Sequence, residues 1–144
     1  MDARVRNTMC HARNSQGKTA LITGASSGIG YELIKRFARD GCTLVLVARN
    51  APQLAKIADE LRRSAQVTVT VIAKDLSQPT TAEEIYRELQ RTSMAVDILV
   101  NNAGFTIYGP FWETDARAEC QMIQVHMVTF THLTKLCLPG ICTT

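Results

Sequence analysis

Two hydrophobic patterns alternate along this chain: short apolar or β-branched runs, and longer stretches with one apolar face at helical spacing. The runs predict four β-strands, and the longer stretches predict a helix after each strand. The predicted strands are residues 19–23, 43–48, 67–72 and 96–100; the predicted helices are residues 29–39, residues 53–63, one opened by residues 79–81 that extends through Leu89, and one that starts near Thr114 and extends past Leu136. Pro139 and Gly140 are expected to end the last helix.

The order of these elements predicts the fold class. The run at residues 43–48 is apolar on both faces, which is typical of a strand covered by helices on both sides. Alternating strands and helices with short connections predict an α/β fold, in which a parallel sheet is wound right-handedly with helices on both faces.

A glycine-rich turn joins the first strand to the first helix. Residues 23–30 have the sequence TGASSGIG, with glycines at positions 24, 28 and 30. Glycine lets the backbone turn tightly and approach a pyrophosphate, while the new helix directs free N–H groups at the anion. Ser26 and Ser27 add hydroxyl donors. The alternative is that these glycines serve only close helix packing.

Three motifs in order resemble the short-chain dehydrogenase/reductase family. They are the string TGASSGIG at residues 23–30, Asp75-Leu76 after the third strand, and NNAG at residues 101–104 after the fourth strand. The resemblance covers roughly residues 18–140 and implies a Rossmann-type dinucleotide-binding sheet, cut off after its fourth strand and the following helix.

The resemblance also implies a role for each motif. Gly24, Ser26, Ser27, Gly28, Ile29 and Gly30 would surround the pyrophosphate, Asp75 with Leu76 would contact the adenine, and Asn102, Ala103 and Gly104 would contact the nicotinamide-side ribose. Taken singly, Asp75 could instead be a helix cap and the asparagines could be turn formers.

Arg49 indicates which dinucleotide is preferred. NAD-binding units place an acid at the end of the second strand, where it binds the ribose 2′-OH, but this chain has Ala48-Arg49-Asn50 there. A guanidinium suits a 2′-phosphate that a carboxylate would repel. NADP(H) is therefore the expected cofactor, with NAD(H) second; the alternative is that Arg49 is a solvated loop cation. Asn50 could help to bind the same phosphate, or it could be a helix cap.

The family's catalytic Ser, Tyr and Lys lie on a fifth strand and the next helix, which this chain does not include. Tyr31 and Lys35 have the Y-x-x-x-K spacing, but they lie on the helix that leaves the glycine turn, away from any carbonyl substrate. His126 occupies the position of a further catalytic asparagine, whose backbone helps to hold a proton-relay water. Histidine can bind water and exchange protons, yet it need not produce the asparagine's local helix distortion.

Two functional hypotheses follow. In the first, the chain is the NADP(H)-binding portion of an oxidoreductase that transfers hydride between NADPH and a carbonyl or alcohol, and that acts as a homo-oligomer as the family does. In the second, it is a non-catalytic dinucleotide-binding or interaction module from a truncated gene. In both, residues 17–144 are a partial dinucleotide-binding domain.

Charge, cysteine content and one partial motif bear on three other functions: nucleic-acid binding, metal binding and nucleotide hydrolysis. The charge of +3 is scattered, which disfavours nucleic acid as a partner. The five cysteines form no C-x-x-C pair, so we expect reduced thiols in a cytoplasmic protein and no metal; zinc held by Cys137, Cys142 and His132 is the weaker alternative. Residues 17–19 resemble the end of a P-loop but lack its first glycine and preceding strand.

Residues 1–16 have three arginines and no apolar run. They predict a disordered leader, with a mitochondrial transit peptide as the alternative. No apolar stretch in the sequence approaches the roughly 20 residues of a membrane span.

Overall fold

All four predicted strands are present in the computed structural model, which describes residues 15–142. The elements are β1 (Thr19–Thr23), α1 (Gly28–Arg39), β2 (Thr43–Ala48), α2 (Ala51–Ala65), β3 (Val69–Ala73), α3 (Thr81–Arg91), β4 (Ile98–Val100), α4 (Ala116–Ile123), a π-helical turn (Gln124–Thr129) and α5 (Phe130–Cys142). The predicted leader, residues 1–16, lies outside the described residues except for Ser15 and Gln16.

The sheet is parallel, with the strand order β3-β2-β1-β4. Thr19 of β1 aligns with Thr43 of β2, and Leu44 of β2 aligns with Val69 of β3. The chain therefore crosses from β3, at one edge of this sheet, to β4 on the other side of β1. The carboxyl ends of the two neighbours of β1 thus lie beside the glycine turn, as at the switch point of doubly wound folds.

Alternate residues of the central strands enter two separate cores. On one face, Ile22 and Leu46 pack with side chains of α1 and α2. On the other face, Leu21 and Val47 pack with side chains of α3, the π-helical turn and α5. The central positions of β1 and β2 are buried on both faces and are apolar, which is why their sequences predict these strands at the observed bounds.

The last helix differs from its prediction. It does not end at Pro139-Gly140 but continues to Cys142. Proline removes one intrahelical hydrogen bond, but Leu136, Cys137 and Ile141 all pack against the core on the α3 side of the sheet. This burial keeps the final turn helical, because tertiary packing outweighs local propensity.

The helix is also distorted where it passes His126. Residues Gln124–Thr129 form the π-helical turn between α4 and α5, so a local distortion is present with histidine at position 126. π-Helical turns widen a helix by about one residue and are frequent at functional sites. Within residues 15–142, no helix is long and apolar enough to cross a membrane.

Cys137 supplies a test of the packing around α5. Its side chain is 4% exposed, and burial raises the pKa of the thiol to about 11 from an ordinary value of 9.0. Between these two pH values the unfolded thiol ionises while the folded thiol stays protonated. The folded state then binds more protons, so this thiol makes the free energy of unfolding fall as pH rises from about 9 to 11.

We expect Cys137→Ala to remove this contribution, so that the variant's free energy of unfolding declines less steeply over that pH range than the wild type's. Urea unfolding at several pH values measures both slopes. Cys120→Ala, at an exposed thiol, should keep the wild-type slope. Equal slopes for wild type and Cys137→Ala would show that Cys137 is not buried as described.

Candidate functional site

A cavity of about 420 Å³ opens at the carboxyl edge of the sheet. The ends of all four strands and the π-helical turn contribute to its walls. The lining residues are Gly24, Ser26, Ser27, Ile29, Ala48, Arg49, Asn50, Lys74, Asp75, Leu76, Asn102, Ala103, Gly104, Phe105 and Val125. All the predicted cofactor-binding residues except Gly28 and Gly30 line this cavity.

The glycine turn is held against the neighbouring strand. The N–H groups of Gly24 and Ala25 donate to the carbonyl of Val47 in β2, at 2.8 and 3.4 Å. Ser27 is the N-cap residue of α1, and its side chain makes no capping hydrogen bond. The first turn of α1 therefore directs N–H groups that no side chain caps toward the cavity, an arrangement that suits an anion.

Gly28 and Gly30 do not line the cavity, but both shape the turn beside it. Gly28 has a φ of +56° and open space where a Cβ would lie, so its backbone conformation is what demands glycine. A Cβ on Gly30 would collide with the carbonyl oxygen of Gly24 and lie 2.6 Å from the side-chain nitrogen of Asn102. Gly30 therefore permits the close packing that brings the turn against residues 101–104.

Thr23 connects β1 to residues 101–104. Its hydroxyl accepts hydrogen bonds from the N–H groups of Asn102 and Ala103, at 2.9 and 3.0 Å, and donates to the carbonyl of Val100 at 3.2 Å. The side chain of Asn102 donates back to the carbonyl of Thr23 at 3.0 Å. Because these groups are buried or half-buried, the segment after β4 has little freedom to move away from the turn.

Asp75 lies at the opposite end of the cavity, after β3. Its carboxylate accepts from the N–H of Ser77 at 3.0 Å, so it closes a local turn; the cap of α3 is Thr80. Burial acts to raise the pKa of Asp75, but hydrogen bonds from Ser77 and Gln78 and the nearby charge of Arg49 outweigh it. The pKa of Asp75 is therefore lowered, and its carboxylate is ionised at neutral pH.

Two cations line the same end. Arg49 follows β2 and Lys74 follows β3, and Ala48 and Ala73 just before them are aligned neighbours in the sheet. Lys74 pairs with Glu84 of α3, its Nζ 2.6 Å from the carboxylate. No ion pair in the described part of the chain involves Arg49. The guanidinium thus remains available to an anionic ligand.

Asn50, next to Arg49, lies at the cavity and also caps a helix. It lines the cavity, and its side chain caps α2 by accepting from the N–H of Gln53 at 3.0 Å. The helix-cap interpretation of Asn50 is therefore confirmed.

His126 is held by the segment that follows NNAG. Its Nε2 lies 3.0 Å from the carbonyl oxygen and 3.3 Å from the amide nitrogen of Phe105. Its ring also covers Gly104, where a Cβ would lie 2.6 Å from His126 Cε1. His126 does not itself line the cavity, so the structure assigns it contacts with the loop rather than a position facing a ligand.

Five cavity-lining residues were not among the predicted site residues: Ala48 and Asn50, which flank Arg49, and Lys74, Phe105 and Val125. Lys74 and Phe105 each adjoin a recognised motif, so extending Asp75-Leu76 and NNAG by one residue would have found them. Val125 is one of several apolar residues on the predicted helix face, and the sequence does not indicate that it is the one in the π-helical turn that lines the cavity.

The other motifs lie outside the cavity. Tyr31 and Lys35 are neighbours on α1, with Lys35 Nζ 4.7 Å from the ring centre, and neither lines the cavity. Gly17-Lys18-Thr19 precedes β1 instead of following a strand. Within residues 15–142, no cluster of three or more His, Cys, Asp or Glu side chains could hold a metal ion.

Comparison with known proteins agrees with this geometry. Residues 18–143 match the family model described as short chain dehydrogenase. The chain is 36% identical over 130 residues to a very-long-chain 3-oxoacyl-CoA reductase of Meyerozyma guilliermondii, covering 88% of this chain and 38% of that protein. The chain thus spans less than half the length of this curated relative.

Solved structures show the same similarity. L-sorbose reductase from Gluconobacter frateurii, complexed with NADPH and L-sorbose, superimposes with a TM-score of 0.83 at 30% identity, over 89% of this chain and 49% of that one. A short-chain dehydrogenase from Sphingobium yanoikuyae in complex with NADPH superimposes with a TM-score of 0.80 at 36% identity, over 88% and 49%.

Gly28 and Gly30 give a matched pair of substitutions for the turn. We expect Gly30→Ala to destabilise the chain by roughly 3 kcal/mol or more, because its methyl group overlaps backbone and Asn102 in a packed site. Gly28→Ala should cost only about 1 kcal/mol, the price of a positive φ in open space. Urea unfolding measures both free energies. The reverse order of the two would contradict the close approach described for Gly30.

Proposed function

The chain belongs to the short-chain dehydrogenase family, and on that premise we propose that its cavity binds NADP(H) in preference to NAD(H). The observation that carries this proposal is the uncapped start of α1 at one wall of the cavity, with the unpaired Arg49 at the end of β2 on the same cavity. A dinucleotide phosphate needs both a pyrophosphate site and a site for the 2′-phosphate.

The residues present fit such a ligand. The turn after β1 and the uncapped start of α1 offer backbone N–H groups to a pyrophosphate. Arg49 offers a fork of donors to the 2′-phosphate, and no carboxylate stands at the end of β2 to repel it. Asp75 and Leu76 would hold the adenine, while Asn102, Ala103 and Gly104 would hold the nicotinamide-side ribose.

We propose further that the protein to which this portion belongs is an oxidoreductase acting on a small carbonyl or alcohol. When bound, NADPH supplies the hydride that reduces a carbonyl carbon. The contribution of residues 15–142 is to bind and orient the dinucleotide, through the turn at one wall and the segments after β3 and β4 at the others. The names of the similar proteins, which are reductases and dehydrogenases, support this class of reaction, and two of the solved structures contain NADPH.

The second candidate is a dinucleotide-binding module without turnover. It is favoured by the chemistry of the cavity wall, since no tyrosine among residues 15–142 lines the cavity and His126 is bonded to loop backbone. The two candidates differ in the reading frame after Thr144. A serine-bearing strand and a Y-x-x-x-K helix encoded there favour the oxidoreductase; a stop codon favours the binding module.

We also propose that copies of the parent protein associate through the side of α4 and α5 that faces away from the sheet. Ile123, Met127, Val128 and Leu138 are large apolar side chains that are about half exposed or more along these helices. Apolar surface of this kind is typical of contact sites between proteins. Light scattering after size exclusion should give a dimer or larger species, and a monomer at micromolar concentration would contradict the proposal.

Titration with NADPH and NADH tests the cofactor preference. The wild-type chain should bind NADPH more tightly, and Arg49→Gln should weaken NADPH binding by roughly 10- to 100-fold, because a hydrogen-bonded charge pair contributes about 1.5–3 kcal/mol. NADH binding by the same variant should change by less than about twofold, since NADH has no 2′-phosphate.

Arg91→Gln is the matched control, because Arg91 is exposed at the end of α3 and does not line the cavity. It should bind both dinucleotides as the wild type does. Saturable binding to neither dinucleotide would contradict the proposed function, and tighter binding of NADH by the wild type would contradict the role of Arg49.

A further inference from the structure

Three polar side chains are fully buried in the described part of the chain, and all three are threonines. Thr23, Thr81 and Thr129 are each at most 2% exposed. Each hydroxyl is hydrogen-bonded to backbone of a segment that lines the cavity. Burying a polar group without a hydrogen bond destabilises a protein. Each of these three hydroxyls has a hydrogen-bond partner, which suggests that the contact it makes has a specific structural use.

Two of these threonines hold consecutive carbonyl groups at one end of the cavity. Thr81 of α3 donates to the carbonyl of Asp75 at 2.6 Å, and Thr129 of the π-helical turn donates to the carbonyl of Leu76 at 2.8 Å. The contact of Thr81 spans six residues and closes the local connection into its own helix. The contact of Thr129 spans 53 residues and joins two separate walls of the cavity.

The hydroxyl of Thr129 both accepts and donates a hydrogen bond within the protein. It accepts a hydrogen bond from the side-chain nitrogen of Gln124 at 3.1 Å, so the acceptor side of the oxygen is used. A hydroxyl has one proton to donate, and here that proton goes to Leu76. Val125, one turn earlier, lines the same cavity as Leu76.

We infer that Thr129 is a positioning residue for the adenine end of the site. Its hydroxyl fixes the carbonyl of Leu76, and with it the Asp75-Leu76 segment, at a set distance from the π-helical turn. This inference rests on the proposed function, because it concerns how the same cavity receives the adenosine portion of NADP(H). Without the hydroxyl, the segment after β3 loses its one hydrogen bond to the π-helical turn among the described residues.

Thr129→Val tests the inference, because valine keeps the shape of threonine and removes only the hydroxyl. The probes are NADPH and adenosine 2′,5′-bisphosphate, which contains the adenine and 2′-phosphate but no nicotinamide. We expect Thr129→Val to bind both probes roughly three- to tenfold more weakly than the wild type. Thr129→Ser, which retains the hydroxyl, should restore binding to within about twofold of the wild type.

Ile85→Val is the control for stability alone. Ile85 is buried in the core of the same face and does not line the cavity, so the variant is destabilised without loss of a hydrogen bond. It should bind both probes as the wild type does. If Thr129→Val does not fold, Thr129→Cys replaces it, because a thiol of similar size is a much weaker donor.

The outcomes distinguish a failure of the proposed NADP(H) binding from a failure of the positioning role of Thr129. Failure of the wild type to bind NADPH would overturn the proposed function. If the wild type binds NADPH, then wild-type affinity of Thr129→Val for adenosine 2′,5′-bisphosphate would overturn the positioning role. An equal loss of affinity in Ile85→Val, or no recovery in Thr129→Ser, would also overturn it, since either result would mean that the hydroxyl is not the cause.

Discussion

The geometry of the cavity depends on the close approach of two backbone segments, the turn after β1 and the residues after β4. A Cβ at Gly24 would lie 2.8 Å from Ala103 Cα, and a Cβ at Gly30 would collide with the carbonyl of Gly24. Glycine is thus required at both positions for the segments to meet. The Thr23 hydroxyl then holds them together by accepting from two consecutive N–H groups. The absence of side chains at Gly24 and Gly30 and the hydrogen bonds of the buried Thr23 hydroxyl together hold residues 101–104 at the cavity wall.

A second consequence is electrostatic. With the turn fixed, the start of α1 faces the cavity with no side-chain cap, and a helix N-terminus carries a partial positive charge. Arg49 adds a full charge on the same cavity and forms no ion pair in the described part of the chain, although its charge acts on Asp75, while Lys74 is paired with Glu84. The cavity therefore offers positive potential at two places, the start of α1 and the end of β2. Asp75, ionised after β3 and near Arg49, disfavours a ligand with negative charge at the adenine position.

Much of this architecture follows from the sequence, for identifiable reasons. β1 and β2 are buried on both faces, so their apolar runs end where the strands end. β3 begins at Val69, the first residue aligned with a partner in β2, which is two residues after the alternating pattern begins at Val67. The motifs at strand ends could be recognised because parallel strands deliver them to one edge. Long-range effects could not be recognised: the helix through Pro139 depends on core packing, and the π-helical turn brings Val125 and Thr129 to the segment after β3.

The most direct test of the account is a crystal structure of the chain grown with saturating NADPH. The account predicts the pyrophosphate against the backbone N–H groups at the start of α1, the 2′-phosphate within hydrogen-bond distance of Arg49, and the adenine beside Asp75 and Leu76. NADPH bound at another surface, or in this cavity with its 2′-phosphate away from Arg49, would contradict it.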